Sequence, residues 1–229
     1  MSSGFDPYSA SYRETVQRSI SFSGRDVDFF SELKARHLVA TAARTVGKPS
    51  RLDVLDVGCG VGITDGHLRG AFRSLSGVDV SEGMLREARR MNPENRYDSY
   101  DGASLPHPAN SFDVAFAISV LHHVPMGERD AFCTEMARIV RPGGIVAIFE
   151  HNPLNPLSRL AVARCEFDVG VELVPPREAA RRMKVARLAV GSPDYIVFFP
   201  WRGAIARRAE TWLRRVPLGA QYCAIGRKR

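Results

Sequence analysis

The 229 residues are enough for one domain with a sizeable core, and the 45% hydrophobic content is typical of a folded globular chain. No apolar run reaches the roughly 18 residues of a membrane span, and the polar N-terminus is not that of a secretory signal. The net charge of +7 arises in residues 151–229, where 15 Lys and Arg face 6 Asp and Glu. This basic excess indicates an anionic substrate, an anionic lipid surface, nucleic acid or simply a solvated arginine-rich face.

Four scattered cysteines, Cys59, Cys133, Cys165 and Cys223, form no Cys-x-x-Cys pair. This spacing predicts reduced thiols rather than disulfides or a structural zinc site. We therefore expect a cytoplasmic protein.

The middle of the chain alternates short β-like runs with amphipathic helices, which predicts an α/β fold with a doubly wound parallel sheet. The predicted elements are a helix over 28–46, strands at 52–58 and 75–81, a helix from 81, a weaker strand near 95–100, a buried strand over 112–120, a helix over 127–140 that stops at "RPGG", a strand over 145–151, and strands at 194–199 and 221–228 separated by a helix over 201–216. We expect residues 1–50 to form an N-terminal arm or lid, residues 51–229 the main domain, and residues 152–192 a helical insertion.

A glycine-rich turn follows the first predicted strand in "VLDVGCGVG". Glycines at 58, 60 and 62 allow positive φ angles and let a ligand lie against the main chain. A dinucleotide fingerprint would place its third glycine at position 63, which is Ile63. Asp79 ends the second strand 21 positions after the first glycine, where a carboxylate can accept hydrogen bonds from ribose hydroxyls. Asp101 follows the third strand, where its side chain could reach an adenine or serve only as a turn residue.

Five segments in this order resemble the class I S-adenosylmethionine-dependent methyltransferases. They are "VLDVGCGVG", "GVDVS", "DGASLP", "SFDVAFAISVLHHV" and "RPGGIVAIFEH". The resemblance implies a Rossmann-like, doubly wound, seven-stranded sheet that is mostly parallel with an antiparallel last strand. It also implies S-adenosylmethionine as the cofactor.

By this resemblance, the glycines lie under the methionine part of the cofactor, an aspartate reaches its amino group, a second aspartate holds the ribose, and further residues enclose the adenine. The residues implied are Asp56, Gly58, Cys59, Gly60, Gly62, Asp79, Val80, Met84, Asp101, Gly102 and Ser119.

Three histidines are predicted at the carboxyl ends of the central strands: His122, His123 and His151. Methyl transfer from a sulfonium is an in-line displacement that a general base can assist. We expect His122 or His123 to be that base, then His151, unless the acceptor needs none. Adjacent histidines cannot readily share one metal ion, and no carboxylate cluster accompanies them, so no metal is predicted.

Two flanking segments have alternative interpretations. Phe5, Tyr8 and Tyr12 are placed to close a lid over the cofactor or to pack as ordinary helix residues. In the helix over 201–216, an apolar stripe lies opposite four arginines; packing onto the sheet is the simplest explanation, and contact with an anionic membrane is the alternative. The stripe is Trp201, Ile205, Trp212, Leu213 and Val216, and the arginines are Arg207, Arg208, Arg214 and Arg215.

The predicted function is methyl transfer to an O or N atom of a small molecule of the lipid, glycan or aromatic type. A nucleic-acid acceptor is not expected, because "SVLH" stands where base-amine methyltransferases carry an Asn-Pro-Pro-Tyr-type tetrapeptide. An NAD(P)-dependent oxidoreductase is the alternative enzyme, disfavoured by Ile63 and by the lack of a Tyr-x-x-x-Lys pair. A non-catalytic cofactor-binding protein is the third hypothesis.

Overall fold

An eight-stranded sheet with helices on both faces organises the chain in the computed structural model, which describes residue 9 and residues 11–201 and 203–229. The strands are β1 (Asp53–Val57), β2 (Ser74–Asp79), β3 (Arg96–Ser99), β4 (Phe112–Ile118), β5 (Val140–His151), β6 (Ala189–Val190), β7 (Asp194–Ile196) and β8 (Gln221–Arg227). Their order is β3-β2-β1-β4-β5-β8-β6, and β7 also pairs with β8. Strands β1 to β5 are parallel and β8 is antiparallel to β5, which confirms the predicted fold class.

Helices cover both faces of the sheet. They are α1 (Tyr12–Ile20), α2 (Val27–Thr45), α3 (Ile63–His67), α4 (Glu82–Met91), α5 (Arg129–Ile139), α6 (Pro156–Ala163), α7 (Pro176–Val185) and α8 (Ala204–Leu213). Alternate residues of the central strands enter two cores: Ala117 packs with α5 and α7 on one face, and Phe116 packs with α2 on the other. This burial on both faces explains why β4 is a nearly continuous apolar run.

Strand β5 begins five residues before its predicted start. The "RPGG" segment does end α5, but it continues as strand and forms a bulge, where the register with β4 shifts between Phe112 and Val114. Gly144 is tightly enclosed in this bulge: a Cβ atom there would lie 2.4 Å from the carbonyl oxygen of Asp113. The segment is therefore a bulge rather than a free turn.

The predicted strand over 194–199 ends at Ile196, and the short strand β6, which was not predicted, also pairs with β8. The sheet therefore has eight strands where seven were predicted. Val197 has a positive φ of 62°, and the backbone N–H groups of Val197, Phe198 and Phe199 donate to the carboxylate of Glu210 at 3.1, 2.7 and 3.2 Å. These N–H groups are therefore not available for hydrogen bonds to a neighbouring strand, and the strand ends at Ile196. Pro193, which has no N–H, separates β6 from β7.

The described part of α8 and its flanks does not fit the expectation that the apolar stripe packs onto the sheet. Trp212 is 87% exposed and Trp201 is 60% exposed. The side chains of Ile205 and Arg207 lie outside the described residues, as do Phe5 and Tyr8 of the N-terminal arm. None of the helices among the described residues combines the length and apolar character needed to span a bilayer.

Candidate active site

A cavity of about 650 Å³ opens at the carboxyl ends of β1, β2, β4 and β5. Residues of α1, α2 and α6 also line it. All three predicted catalytic histidines and nine of the eleven predicted cofactor-binding residues lie on its wall; Gly62 and Asp101 do not. The structure therefore brings most of the predicted site residues together around one space.

The turn after β1 is built on left-handed backbone. Gly58, Gly60 and Gly62 have φ angles of 79°, 54° and 73°, a region in which other residues are strained. The N–H of Gly58 donates to the carbonyl of Val78 at 2.8 Å, which fastens the turn to the neighbouring strand. A Cβ atom on Gly58 would lie 2.5 Å from the Cγ2 atom of Val120, so the turn also requires glycine for space.

Asp79 joins the glycine turn to the start of α4. Its Oδ2 accepts the N–H of Gly60 at 2.8 Å, and its Oδ1 accepts the N–H of Ser81 at 2.9 Å. Asp79 also lines the cavity, so its carboxylate lies at the boundary between the glycine turn and the ligand space. The Ser81 hydroxyl accepts the N–H of Met84 and caps α4, as expected for a helix start.

Gly62 has a structural role behind the turn. Its carbonyl accepts the side-chain amide of Asn92 at 2.9 Å, and a Cβ atom there would lie 2.6 Å from the same amide nitrogen. The third glycine thus allows the turn to pack against α4, outside the cavity wall.

The residues predicted to enclose the adenine are Val80, Met84, Asp101 and Gly102. Val80, Met84 and Gly102 line the cavity, together with Tyr100, which was not predicted. Asp101 is placed differently from its predicted role: it is exposed, and its Oδ1 accepts the N–H groups of Ala103 and Ser104, both at 2.8 Å. The Asp101 carboxylate therefore closes its own turn, which was the structural alternative for this residue.

Two buried carboxyl groups lie below the turn. Burial and the nearby Asp65 raise the pKa of Asp56 well above its ordinary value, and burial raises the pKa of Asp65 to about 6 although the Tyr97 hydroxyl donates to it at 2.8 Å. Because the two carboxyls each shift the pKa of the other, we interpret them as one titrating pair that shares a proton.

Lys34 faces Asp56 from α2 and lines the cavity. Burial lowers its pKa to about 8, although Asp56 and Glu150 act in the opposite direction. Among the described residues it has no hydrogen-bond or ion-pair partner, so its ammonium group is available to an anionic ligand. Sequence reasoning missed Lys34; the only indication was one lysine within the buried stretch of α2.

The histidines form a cluster with two carboxylates. Nδ1 of His122 lies 2.6 Å from Glu150 Oε2, and its Nε2 lies 3.3 Å from Asp168 Oδ1. Nε2 of His123 lies 3.2 Å from the same oxygen of Asp168. The ring of His151 is 5.8 Å from that of His122, and its Nδ1 lies 3.2 Å from the Ser158 hydroxyl.

This geometry assigns different states to the histidines. Burial alone would lower the pKa of His122, but Glu150 and Asp168 outweigh it and raise the value to about 10. Burial and the charge of His122 lower the pKa of His151 to about 4. Since both nitrogens of His122 face carboxylates, it offers no lone pair to an acceptor, whereas Nε2 of His151 has no protein partner among the described residues.

Asp168 belongs to a short segment, Glu166–Asp168, in which each residue contacts a different group. Glu166 forms an ion pair with Arg18 of α1 at 3.2 Å, and Phe167 stacks on Tyr12 of α1 with ring centroids 5.1 Å apart. Asp168 reaches the histidines. The segment therefore connects α1 to the histidine cluster. No motif in the sequence had indicated this connection.

The position of Asp168 bears on the prediction that no metal ion binds here. That prediction rested on two expectations: that adjacent histidines cannot readily share one ion, and that no carboxylate cluster accompanies them. Nε2 atoms of His122 and His123 both point at Asp168, and the three potential ligand atoms lie within 4.8 Å of one another. Asp168 is 45 residues further along the chain than His123, which is why sequence spacing did not reveal it.

A sheet of this order, with a glycine turn after β1, an acid at the end of β2 and a cavity across them, is the arrangement of class I methyltransferases. A family model described as a methyltransferase domain matches residues 55–148. The ubiquinone biosynthesis O-methyltransferase of Thiobacillus denitrificans is 32% identical over 188 residues, covering 76% of this chain and 78% of that protein. Methyltransferase GfsG of Streptomyces halstedii is 38% identical over 120 residues, covering 49% of this chain and 42% of that protein.

A solved structure from Thermotoga maritima, described as an S-adenosylmethionine-dependent methyltransferase and possible histamine N-methyltransferase, superposes with a TM-score of 0.69. It is 18% identical, and 98% of each chain is covered, so this likeness concerns the fold alone. The chain spans less than half the length of several curated relatives that it matches.

The chain belongs to the class I S-adenosylmethionine-dependent methyltransferases, an enzyme family whose cofactor is S-adenosylmethionine. The alternative of an NAD(P)-dependent oxidoreductase is thereby set aside.

Proposed function

We propose that this protein transfers the methyl group of S-adenosylmethionine to an oxygen or nitrogen atom of a small, largely apolar molecule. The observation that supports this most is the single cavity that joins two unlike halves. One half contains the glycine turn and Asp79, and the other contains the histidine cluster. A methyl donor and an acceptor that occupy the two halves would meet near Ser119, between them.

In the cofactor half, Asp79 accepts hydrogen bonds from the two ribose hydroxyls, and the turn at Gly58 and Gly60 supports the methionine part. The turn is already fixed by hydrogen bonds within the protein, so little ordering would accompany binding. Val80, Met84 and Gly102 enclose the adenine. Cys59 and Ser119 complete the wall.

At the methionine end, Lys34 binds the cofactor carboxylate and the Asp56–Asp65 pair accepts a hydrogen bond from the amino group. One ammonium and one partly ionised carboxyl pair match the opposite charges of an amino acid. Asp56 Oδ1 and Asp65 Oδ1 have no other donor among the described residues, and Asp56 lines the cavity. A ligand ammonium would supply the missing donor.

In the acceptor half, Nε2 of His151 receives the proton or hydrogen bond of the acceptor group. Its Nδ1 is held by Ser158, which fixes the ring. The acceptor lone pair attacks the methyl carbon, the C–S bond electrons return to sulfur, and the acceptor proton leaves. Holding the two groups in line contributes on the order of 7–11 kcal/mol to such a reaction. His122 keeps its place between carboxylates and does not act as the base.

The remainder of the acceptor half is apolar. Its wall includes Phe22, Phe30, Leu157, Ala161, Val162, Val197, Phe198 and Phe199. These side chains favour an acceptor with a hydrophobic body and one hydroxyl or amino group. The N-terminal arm then acts as the lid and residues 152–192 as the acceptor-side insertion, because α1 and α6 both line the cavity.

A transfer assay with methyl-labelled S-adenosylmethionine and fractionated lysate lipids and metabolites tests the proposal. We expect label in an apolar small-molecule fraction. The variant His151→Phe should lower turnover by about 100-fold while the dissociation constant for S-adenosylhomocysteine stays within about threefold. His107→Phe, a histidine remote from the cavity wall, is the matched control and should keep its turnover. Equal turnover of His151→Phe and wild type would exclude the role of His151.

The cavity mouth adjoins an exposed apolar and basic surface, which we propose contacts an anionic membrane. Leu154, Leu157 and Leu218 are 69%, 57% and 67% exposed, and the Asn155 amide donates to the Leu218 carbonyl at 2.7 Å, which holds these two loops together. Arg159 is exposed beside them on α6. Basic and apolar side chains together bind anionic interfaces.

Vesicle co-sedimentation tests this contact. Wild type should bind vesicles rich in phosphatidylglycerol, lose binding at high salt, and ignore phosphatidylcholine vesicles. Leu157→Asp should weaken binding by about 10-fold, whereas Val185→Asp, at an equally exposed site on α7, should not. No salt-sensitive binding of wild type would contradict the proposal.

A further inference from the structure

We propose that His122, His123 and Asp168 form a binding site for a divalent transition-metal ion of the zinc type at the acceptor end of the cavity. All three residues line the cavity. Nε2 of His122 and Nε2 of His123 lie 3.3 and 3.2 Å from the same oxygen of Asp168. Two ligand atoms that are each about 2.1 Å from a zinc ion and at a tetrahedral angle are about 3.4 Å apart, so the observed separations suit a shared ion.

A carboxylate behind the site orients its most buried ligand. Glu150, at the end of β5, is buried, and its Oε2 lies 2.6 Å from Nδ1 of His122 while its Oε1 accepts the His122 N–H at 3.3 Å. This contact turns Nε2 of His122 toward Asp168. Histidine ligands of metal ions usually have such a carboxylate on the other ring nitrogen, which fixes the ring and its tautomer.

The set of ligands selects the class of ion. Two imidazole nitrogens and one carboxylate favour zinc or a neighbouring transition metal over magnesium or calcium, which prefer oxygen ligands. Catalytic zinc sites commonly have three protein ligands and one open position. An ion held by these three residues would be reached from the cavity, because all three line its wall.

This inference rests on the proposed function and narrows it to a hydroxyl acceptor. An acceptor oxygen at the open position would lose its proton more readily, as metal-bound water does. The proton passes to Nε2 of His151 or to solvent, the oxygen lone pair forms the new bond to the methyl carbon, and the C–S electrons return to sulfur.

The test begins with purified protein that is stripped with a chelator and then dialysed against Zn²⁺ or Co²⁺. We expect about one ion per chain by elemental analysis, and a visible absorption band of four- or five-coordinate Co²⁺. Asp168→Asn and His123→Gln should each weaken metal binding by at least about 10-fold, and Glu150→Gln by about 10- to 100-fold. Glu172→Gln, an exposed carboxylate of the same insertion, is the control and should bind metal like wild type.

Titration with S-adenosylhomocysteine keeps this inference separate from the proposed function. Binding of that nucleoside by wild type and by His123→Gln shows that the fold and the cofactor half are intact whatever the metal result. Failure of wild type to retain Zn²⁺ or Co²⁺ above the level of Asp168→Asn would overturn the metal site and leave an ion pair between the histidines and Asp168.

Discussion

The two halves of the cavity are assembled in different ways. The cofactor half is built from residues that are close in the sequence and on neighbouring strands. The turn from Gly58 to Gly62 follows β1, Asp79 ends the adjacent parallel strand β2, and the shape of the turn is set by backbone conformation. The acceptor half is distributed: its polar groups come from the ends of β4 and β5 and from the segment Glu166–Asp168, and their side chains must converge. The shape of the cofactor half thus depends mainly on the backbone, whereas that of the acceptor half depends mainly on side chains.

This difference determines how each half should respond to mutation. Substitutions in the cofactor half should alter backbone strain and local charge, and should therefore change nucleoside affinity or the free energy of unfolding. Damage to the acceptor half should leave nucleoside binding intact.

The variant Gly58→Ala should raise the dissociation constant for S-adenosylhomocysteine by at least about 1,000-fold, close to 4 kcal/mol. The added Cβ meets Val120 at 2.5 Å, and the φ of 79° strains any other residue. Calorimetric titration measures the affinity. Gly127→Ala, whose Cβ would meet nothing within 4 Å, is the control and should bind normally. Normal affinity in Gly58→Ala would show that the turn does not depend on its glycines.

The Asp56–Asp65 pair should make the protein less stable as the pH rises. The pKa of Asp65 is raised from 3.8 to about 6 by burial, so its stabilising contribution is present below pH 4 and is lost as the pH rises through 6. The difference corresponds to about 3 kcal/mol. Urea unfolding between pH 4.5 and 7.5 should therefore show that Asp65→Asn gains stability relative to wild type as the pH increases. Parallel curves for the two proteins would contradict the shared-proton interpretation.

Glu210→Gln should reduce the free energy of unfolding by about 2 kcal/mol, because three backbone N–H groups donate to this carboxylate. Urea unfolding at pH 7 measures the loss. Glu94→Gln is the control: Glu94 is exposed and pairs with Arg69 at the surface, so this change should leave the free energy of unfolding almost unaltered. Since Phe198 and Phe199 line the acceptor half, nucleoside affinity should be unchanged in both variants.

Lys34→Met should weaken S-adenosylhomocysteine binding by about 10-fold at pH 7, or about 1.4 kcal/mol. The pKa of Lys34 in the free protein is lowered to about 8 by burial, so the side chain is charged at pH 7 and neutral at pH 9. A bound carboxylate favours the charged form, so at pH 9 binding should take up a proton in wild type. Titration calorimetry in two buffers of different ionisation enthalpy detects that proton. Lys48 is exposed beyond the end of α2, so Lys48→Met is the control and should still take up the proton on binding. The proton uptake should be lost only in Lys34→Met.

The sequence was sufficient for the fold class and for placing the glycine turn and Asp79 at the ends of β1 and β2, because hydrophobic periodicity and glycine spacing are local properties. It was insufficient where local and tertiary preferences compete. Val197 to Phe199 have the composition of a strand, yet Glu210 takes their N–H groups. Asp101 stands where a ligand-binding acid would, yet its carboxylate closes its own turn.

The acceptor half was only partly predictable for the same reason. Its histidines were found because they follow predicted strands. Asp168 and Lys34 were not, because one lies in an insertion without periodic pattern and the other in a helix that precedes the first strand. Their roles depend on which chain segments meet, and no spacing in the sequence records that.

The most direct test of the central claim is a calorimetric titration of the purified protein with S-adenosylhomocysteine, in wild type and in Asp79→Asn, with Asp98→Asn as the control on β3. We expect saturable binding by wild type and Asp98→Asn, and binding at least about 10-fold weaker in Asp79→Asn, because the Asp79 carboxylate holds both the glycine turn, through Gly60, and the start of α4, through Ser81. Equal affinity of the three proteins, or saturable binding of NAD but not of S-adenosylhomocysteine by wild type, would contradict it.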